Sequence, residues 1–334
     1  MDSLETRFPL LLVGAGRWGR AWIQALSRRL PEAEGAEILA ACDPDPGAGP
    51  AALSLEKGLV EPDLERILEK VEPAGAVLAT PPHTHAELAR RLLRAGIPVL
   101  CEKPLAPTLE DSRAMLEAAA REGTPLFLAS KYRFCPDVKR AGEILASGAL
   151  GEPLTCLVYF SGFFPVEGTW RARPELSGGG VVADNAPHVA DLARLMLGPA
   201  EGAWAFPLPK VQDVPVEDSA WVHFRHRAGK LTTAFLSWSL APVHPWYCQV
   251  ECTEGSLLLG WKESRHHVKD APDWVVFGGG FDRDLALASM AGAFARAVRG
   301  EEPFPMSTEE ALDTARASSA AVRSLDTGRM EAIL

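Results

Sequence analysis

The stretch Gly14-Ala15-Gly16-Arg17-Trp18-Gly19 lies between an apolar run, Pro9–Val13, and an amphipathic segment. In such a GxGxxG sequence the first glycine permits a tight turn, the second lets the backbone approach a pyrophosphate, and the third lets the helix pack close to the strand. The amides at the start of the helix and its positive dipole end attract the phosphates. The stretch predicts a dinucleotide-binding βαβ unit.

The rest of the first 130 residues repeats this alternation of short apolar runs with amphipathic segments. Runs rich in Leu, Val and Ile are typical of parallel strands that are covered on both faces. We predict strands at Pro9–Val13, Glu37–Cys42, Gly75–Ala79, Pro98–Cys101 and Leu126–Ala129, with helices at Trp18–Leu30, Leu64–Lys70, Ala86–Ala95 and Leu109–Arg121.

The second part of the chain has a different pattern, in which apolar runs follow one another across turns such as Arg227-Ala228-Gly229. Such a pattern predicts a mainly antiparallel sheet. We expect strands at Leu154–Phe160, Ala220–Arg225, Leu231–Trp238 and Tyr247–Cys252, and helices at Val138–Ser147, Pro187–Leu197, Ala286–Arg299 and Thr308–Leu325.

These patterns predict an α/β protein of two domains, since 334 residues exceed the roughly 250 to 300 at which one core stops growing. Residues 1–130 form a Rossmann domain with a doubly wound parallel sheet. Residues 131–334 form an α+β domain with an open-faced sheet, and the last helix could pack on either domain.

Composition limits the function classes. A formal net charge of -10 and a pI near 5.4 oppose binding to nucleic acid. The six cysteines show no CxxC spacing, which favours reduced, buried thiols. The acidic and polar start lacks the features of a signal peptide, and no apolar stretch could span a bilayer. We therefore expect a cytoplasmic protein without a membrane partner.

Asp43, which ends the second strand, is the candidate for cofactor choice. An acid near this spacing accepts hydrogen bonds from the adenosine ribose hydroxyls and repels a 2'-phosphate. No Arg or Lys follows before Lys57, so we expect NAD rather than NADP. The alternative is a strand-end aspartate that starts a turn with Pro44.

Several segments resemble the glucose-fructose oxidoreductase, inositol dehydrogenase and MocA family of oxidoreductases over nearly the whole chain. They read ATPPHTH at 79–85, CEKP at 101–104, and WR at 170–171 followed by GGG at 178–180 and by Asp184, His188 and Asp191. Ala186 departs from the glycine that many members have two residues before the histidine. The resemblance implies cofactor contacts for Thr80, Pro81 and His85, a cis Lys103–Pro104 bond, and dimers or tetramers formed through the open sheet face.

Lys103 is the leading proton carrier. Oxidation of an alcohol requires the hydroxyl proton to leave as a hydride departs, and ligands of open α/β sheets bind at the carboxyl ends of strands. The alternative is a surface lysine. Glu102 would contact the nicotinamide ribose or Lys103, unless it pairs with a surface arginine. The cofactor set is thus Gly14, Gly16, Arg17, Trp18, Gly19, Asp43, Thr80, Pro81, His85, Glu102 and Lys103.

Asp184 and His188 are four residues apart and share a face of a helix, which we expect to begin or kink near Pro187. His188 would bind the reacting oxygen or share the proton, and Asp184 would hold substrate hydroxyls. A structural histidine is the alternative. Trp170 and Arg171 could line the substrate pocket, although core packing and a salt bridge explain them nearly as well.

The first functional hypothesis is an NAD-dependent dehydrogenase acting on a small sugar, inositol or related polyol. Its alternatives are a glycosidase-like enzyme with tightly held NAD and a nonenzymatic dinucleotide sensor. Histidine pairs such as His266 and His267 lack further ligands at a recognised spacing, so we expect no metal site.

Overall fold

The computed structural model describes residues 7–45, 47, 59–241 and 244–334. Lys57, which entered the argument about NADP, lies outside these residues. The chain forms two compact units. Unit 1 contains Met1–Ala106, Glu110–Phe134 and Asp282–Ala311, and unit 2 contains Pro107–Leu109, Cys135–Phe281 and Leu312–Leu334.

The strands are β1 (Phe8–Val13), β2 (Ala36–Cys42), β3 (Val60–Glu61), β4 (Gly75–Leu78), β5 (Val99–Glu102), β6 (Leu126–Ala129), β7 (Pro153–Ser161), β8 (Ala200–Pro207), β9 (Ser219–His226), β10 (Leu231–Ser237), β11 (Trp246–Cys252), β12 (Gly255–Gly260), β13 (Ser264–Val268), β14 (Val275–Gly278) and β15 (Glu331–Ala332). The α-helices are α1 (Arg17–Arg28), α2 (Leu30–Ala33), α3 (Leu64–Leu68), α4 (His85–Arg94), α5 (Leu109–Glu122), α6 (Pro136–Ala146), α7 (Pro174–Ser177), α8 (Val181–Leu197), α9 (Arg283–Arg299) and α10 (Thr308–Thr327). Short 3-10 turns occupy Pro82–Thr84, Lys131–Phe134, Trp170–Ala172 and Arg227–Gly229.

Unit 1 contains a parallel sheet with the strand order β3-β2-β1-β4-β5-β6. The chain leaves β1 in one direction and returns to β4 on its other side, so the carboxyl ends of these two strands form the switch point at which such sheets bind ligands. The inner strands are almost wholly buried because their residues are apolar on both faces. This confirms the predicted Rossmann domain.

Helix α9 completes the core of unit 1. Phe294 is fully buried and packs edge-on against Phe8, with ring centroids 5.6 Å apart, and against Phe127 at 5.9 Å. A Cβ at Gly75 would lie 2.7 Å from the Phe294 ring, so glycine is what admits the helix at the start of β4. The Rossmann core therefore includes residues from the last sixth of the chain.

Unit 2 contains a nine-stranded sheet with the order β14-β13-β12-β11-β7-β10-β9-β8-β15. Its pairs are antiparallel except β7 with β10, which run parallel. Helix α8 contacts β7, β9 and β10. Ring side chains such as Trp204, Phe206 and His223 contact one another along β8 and β9, and Trp204 is exposed. This agrees with the expected α+β architecture and open sheet face.

Three features differ from the sequence-based expectations. Helix α8 begins at Val181 and continues through Pro187, so the helix start that was one of two alternatives expected at that proline is wrong. Strands β3, β8, β12, β13, β14 and β15 were not predicted. Asp282–Ala311 belongs to unit 1, whereas we expected residues 131–334 to form one domain, and α10 is shared, since it belongs to unit 2 from Leu312 onward.

The cysteines are all free thiols. Five are buried, as expected, and Cys252 is half-buried. Within the described parts of the chain, no helix is both long and apolar enough to cross a bilayer.

Candidate active site

The glycine loop connects β1 to α1 in the arrangement that a pyrophosphate requires. Gly14 has a φ of 96°, a value that favours glycine, and a Cβ there would lie 2.8 Å from the Ala79 carbonyl carbon. A Cβ at Gly19 would lie 2.0 Å from the Gly14 oxygen, whereas one at Gly16 would meet no atom within 4 Å. Gly14 and Gly19 thus hold the turn and the helix together, and Gly16 leaves the helix N-terminus open to a phosphate.

Asp43 holds the loop from the end of β2. Its Oδ2 accepts a hydrogen bond from the Ala15 amide at 2.6 Å, and its Oδ1 accepts one from the Asp45 amide at 2.9 Å. The second bond closes the strand-end turn that we considered as an alternative. A carboxylate has about four lone-pair positions, so both bonds leave acceptor capacity for ribose hydroxyls.

The segment after β4 is fixed by its own side chains. Thr84 Oγ1 lies 2.6 Å from Thr80 Oγ1 and donates to the Pro81 carbonyl at 2.8 Å. Thr80 and Pro81 are half-buried, and Thr80 lies against Gly14. Thr80 is therefore beside the glycine loop, and Pro81 follows it in the chain.

His85 is fully buried and joins two strand ends. Its Nε2 lies 2.9 Å from the Thr80 carbonyl oxygen, and its Nδ1 lies 3.0 Å from that of Pro104. Burial lowers the pKa of His85, and the carbonyl contacts act in the opposite direction. These contacts fit a link between the segments after β4 and β5 better than the direct cofactor contact expected for this side chain.

Glu102 ends β5 and Lys103 follows it, with a cis Lys103–Pro104 bond as the resemblance implied. Glu102 is buried, and its Oε1 accepts hydrogen bonds from the indole nitrogens of Trp18 and Trp22, the latter at 3.0 Å. Burial raises the pKa of Glu102, while the Trp18 indole and the charges of Lys103 and Lys131 lower it. Glu102 thus contacts Lys103, whose backbone amide donates to Oε2 at 3.3 Å, and also two tryptophans of α1 that the sequence-based interpretation did not anticipate.

In unit 2 the expected substrate residues lie on and beside α8. Arg171 stacks over the Trp170 ring at 4.4 Å, and its Nε lies 3.6 Å from Asp184 Oδ2. His188 follows one helical turn later, is almost buried, and meets the Phe160 ring edge-on at 6.2 Å. Asp191 is buried. An ion pair therefore connects Trp170 and Arg171 to the helix that carries Asp184 and His188.

Glu217 is a residue that sequence reasoning missed. Its backbone oxygen accepts from the Val181 amide at 2.9 Å, and its Oε1 accepts from the Val182 amide at 3.0 Å. These bonds satisfy two of the amides that every helix leaves open at its N-terminus. Burial raises the pKa of Glu217, and the bonds from the helix amides lower it. Because Glu217 lies 35 residues after Val182, no local sequence pattern connects the two.

The same contact explains one glycine of the GGG sequence. A Cβ at Gly180 would lie 2.1 Å from the Glu217 backbone oxygen. Since backbone atoms cannot move aside easily, a larger residue would displace the start of α8 and with it Asp184 and His188.

We predict that Gly180→Ala lowers the free energy of unfolding by about 1–3 kcal/mol, because the new methyl group overpacks this contact. Urea denaturation measures the change. Gly142→Ala is the matched control, since Gly142 lies inside α6 and a Cβ there would have no atom within 4 Å. This substitution should raise the free energy of unfolding by up to about 1 kcal/mol, because alanine favours the helix more than glycine does. Equal stability of Gly180→Ala and the wild type would contradict the assigned packing.

The glycine loop, the open helix N-terminus and Asp43 define a protein that binds a dinucleotide at the switch point of a Rossmann sheet. Comparison with known proteins agrees. Residues 8–130 match the oxidoreductase family with an NAD-binding Rossmann fold, and residues 138–258 match the GFO/IDH/MocA C-terminal domain. The chain belongs to the GFO/IDH/MocA family of oxidoreductases.

Two relatives and one solved structure illustrate the match. Inositol 2-dehydrogenase 4 of Saccharopolyspora erythraea is 30% identical, over 78% of this chain and 75% of its own. D-apiose dehydrogenase of Paraburkholderia graminis is 29% identical, over 76% and 68% respectively. A levoglucosan dehydrogenase in complex with NADH superimposes with a TM-score of 0.88 at 21% identity, covering 98% of this chain and 99% of that one. This last likeness concerns the fold.

Proposed function

We propose that the protein is an NAD-dependent dehydrogenase that oxidises a hydroxyl-bearing carbon of a small sugar, inositol or related polyol, or reduces the corresponding ketone. The observation that carries the proposal is Lys103, which directly follows β5 in the same unit as the glycine loop and Asp43. The two relatives are an inositol dehydrogenase and an apiose dehydrogenase, which supports a polyhydroxylated substrate.

The bound nicotinamide would supply the hydride acceptor or donor. Gly16 and the first amides of α1 would bind its pyrophosphate, and Asp43 the adenosine ribose. Lys103 would take the hydroxyl proton as the carbon is oxidised. His188 would bind the reacting oxygen or share that proton, and Asp184 would hold neighbouring hydroxyls. Arg171 would orient Asp184 through the ion pair between them.

The experiment is an assay of NADH formation over a panel of sugars, inositols and polyols, followed by identification of the product. A dehydrogenase releases one ketone for each NADH formed. Bond cleavage without accumulation of NADH would replace the proposal by a glycosidase-like reaction. NADH binding without turnover of any compound would favour a dinucleotide sensor.

For the cofactor, we predict that NADH binds more tightly than NADPH, because Asp43 repels a 2'-phosphate and accepts bonds from free ribose hydroxyls. Fluorescence transfer from protein to reduced cofactor measures both dissociation constants. Asp43→Ser should reduce the preference for NADH over NADPH, chiefly by weakening the binding of NADH. Asp63→Ser is the control, because Asp63 caps α3 through its bond to the Arg66 amide and is solvent-exposed. Tighter binding of NADPH by the wild type would overturn the assignment.

A further inference from the structure

We propose that Trp18 and Trp22 are positioning residues that hold the Glu102 carboxylate, and through it the Lys103 peptide, against the first turns of α1. The role of Lys103 rests on the proposed function, whereas the contacts of Glu102 do not. The proposal gives a task to Trp18, a position of the GxGxxG sequence at which any residue satisfies the pattern.

The two carboxylate oxygens of Glu102 have different hydrogen-bond partners. Trp18 and Trp22 are four residues apart on α1, so both indoles point from one face of the helix, and both donate to Oε1 of Glu102. Oε2 accepts the backbone amide of Lys103 at 3.3 Å. The side chain thus connects the glycine-loop helix with the end of β5.

These three donors are complementary to an ionised carboxylate. An indole nitrogen can only donate, and so can a backbone amide, so a protonated Oε2 would face the Lys103 amide, donor against donor. Trp22 is fully buried and Glu102 nearly so, and a charge in such a place is stable only when it is paired or hydrogen-bonded. The indoles supply hydrogen bonds that water would otherwise make.

Positive charges complete the surroundings of Glu102. Lys103 follows it in sequence, and Lys131 lies with its Nζ 5.0 Å above the Trp18 ring, in the geometry of a cation–π contact. Cys101 adjoins Glu102 on the other side, where burial and the charge of Glu102 raise the pKa of the thiol. Removal of an indole therefore weakens the support of the anion without removing the other charges.

The first test is a spectroscopic one that needs neither cofactor nor substrate. The indole 15N–1H resonances of Trp18 and Trp22 are assigned by their loss in Trp18→Phe and Trp22→Phe, and their positions are followed from pH 5 to 9. We expect Glu102→Gln to shift both resonances, since its neutral amide oxygen is a weaker acceptor for the indoles than a carboxylate and its NH2 group would face the Lys103 amide, donor against donor. In Trp18→Phe the titration curve of the Trp22 indole resonance should lie at higher pH than in the wild type. The loss of one hydrogen bond to the Glu102 carboxylate should raise the pKa of that group.

The matched control is Trp274→Phe, since Trp274 is an exposed residue of unit 2 whose ring contacts His267 and Arg265. It should leave both curves in place. Indole resonances of Trp18 and Trp22 that do not move in Glu102→Gln would overturn the proposal. So would coincident curves in Trp18→Phe and the wild type, including curves that are flat in both.

The second test is kinetic. Trp18→Phe should lower kcat by about tenfold, the effect of one charge-assisted hydrogen bond, with KM for the substrate changing less. In an enzyme that already carries Glu102→Gln, Trp18→Phe should lower kcat only slightly further, because the acceptor of the indole hydrogen bond has already been altered. If Trp18→Phe lowered kcat by the same factor with and without Glu102→Gln, Trp18 would not act through Glu102. If the proposed dehydrogenase activity were absent, the resonance test would still decide whether the indoles hold the carboxylate.

Discussion

Lys103→Met is expected to bind NADH with nearly unchanged affinity while its turnover falls by about two to four powers of ten. Methionine keeps much of the length and apolar character of the lysine stem, but it cannot carry a proton or polarise an oxygen. The cofactor contacts that we assign to the glycine loop and Asp43 are made by other residues, so binding should persist. Fluorescence titration with NADH and single-turnover measurement of hydride transfer separate the two quantities.

The single-turnover condition is needed because slow product release could hide a change in the chemical step. Lys139→Met provides the control, since Lys139 is an exposed residue of α6 in unit 2 and should leave both quantities unchanged. Wild-type turnover in Lys103→Met would show that another group carries the proton. A parallel loss of NADH binding would instead indicate a role in holding the cofactor.

The second large effect is expected at His188. His188→Asn should lower turnover by about 10²–10⁴ and change NADH affinity far less, because asparagine can hydrogen-bond the reacting oxygen but cannot accept and release a proton near neutral pH. Asp184→Asn should also reduce turnover and should weaken substrate binding, since it removes the charge that pairs with Arg171. Rates and dissociation constants measured with the true substrate test both expectations.

His266→Asn is a suitable control, because His266 lies on β13, away from α8 along the sheet order. It should retain activity. If His188→Asn kept nearly full turnover, His188 would belong to the core packing that its contact with Phe160 already shows. Circular dichroism of each variant distinguishes a catalytic loss from a local loss of α8.

The sequence was most informative where function requires particular backbone shapes. Gly14 is needed for its positive φ and Gly19 for its close approach to the Gly14 oxygen, so their spacing between a strand and a helix predicts the loop. The alternation of apolar runs with amphipathic segments likewise predicted the parallel sheet, but not the order of its strands. Asp43 shows the limit of this reasoning: the cofactor role and the turn role were treated as alternatives, yet the carboxylate makes the turn and retains capacity for a ligand.

Contacts between distant residues could not be predicted in this way. Pro187 suggested a helix start or a kink because a proline interrupts helical hydrogen bonding, but Glu217 caps α8 six residues earlier, where the helix starts at Val181. The tryptophan partners of Glu102 come from a helix some 80 residues upstream. Likewise, the parallel pairing of β7 with β10 joins strands that are separated by two others in sequence.

The place of α9 in unit 1 bears on how the chain acquires its structure during synthesis. Phe294 lies between Phe8 and Phe127 and fills the space that Gly75 leaves open, so the first 134 residues cannot complete their core before the chain has reached α9. A nascent chain that emerges from the ribosome amino-terminus first must carry an uncovered apolar sheet surface while about 150 more residues are translated. Truncation before residue 282 would leave that surface permanently uncovered, and the shortened polypeptide should aggregate rather than yield an isolated nucleotide-binding fragment.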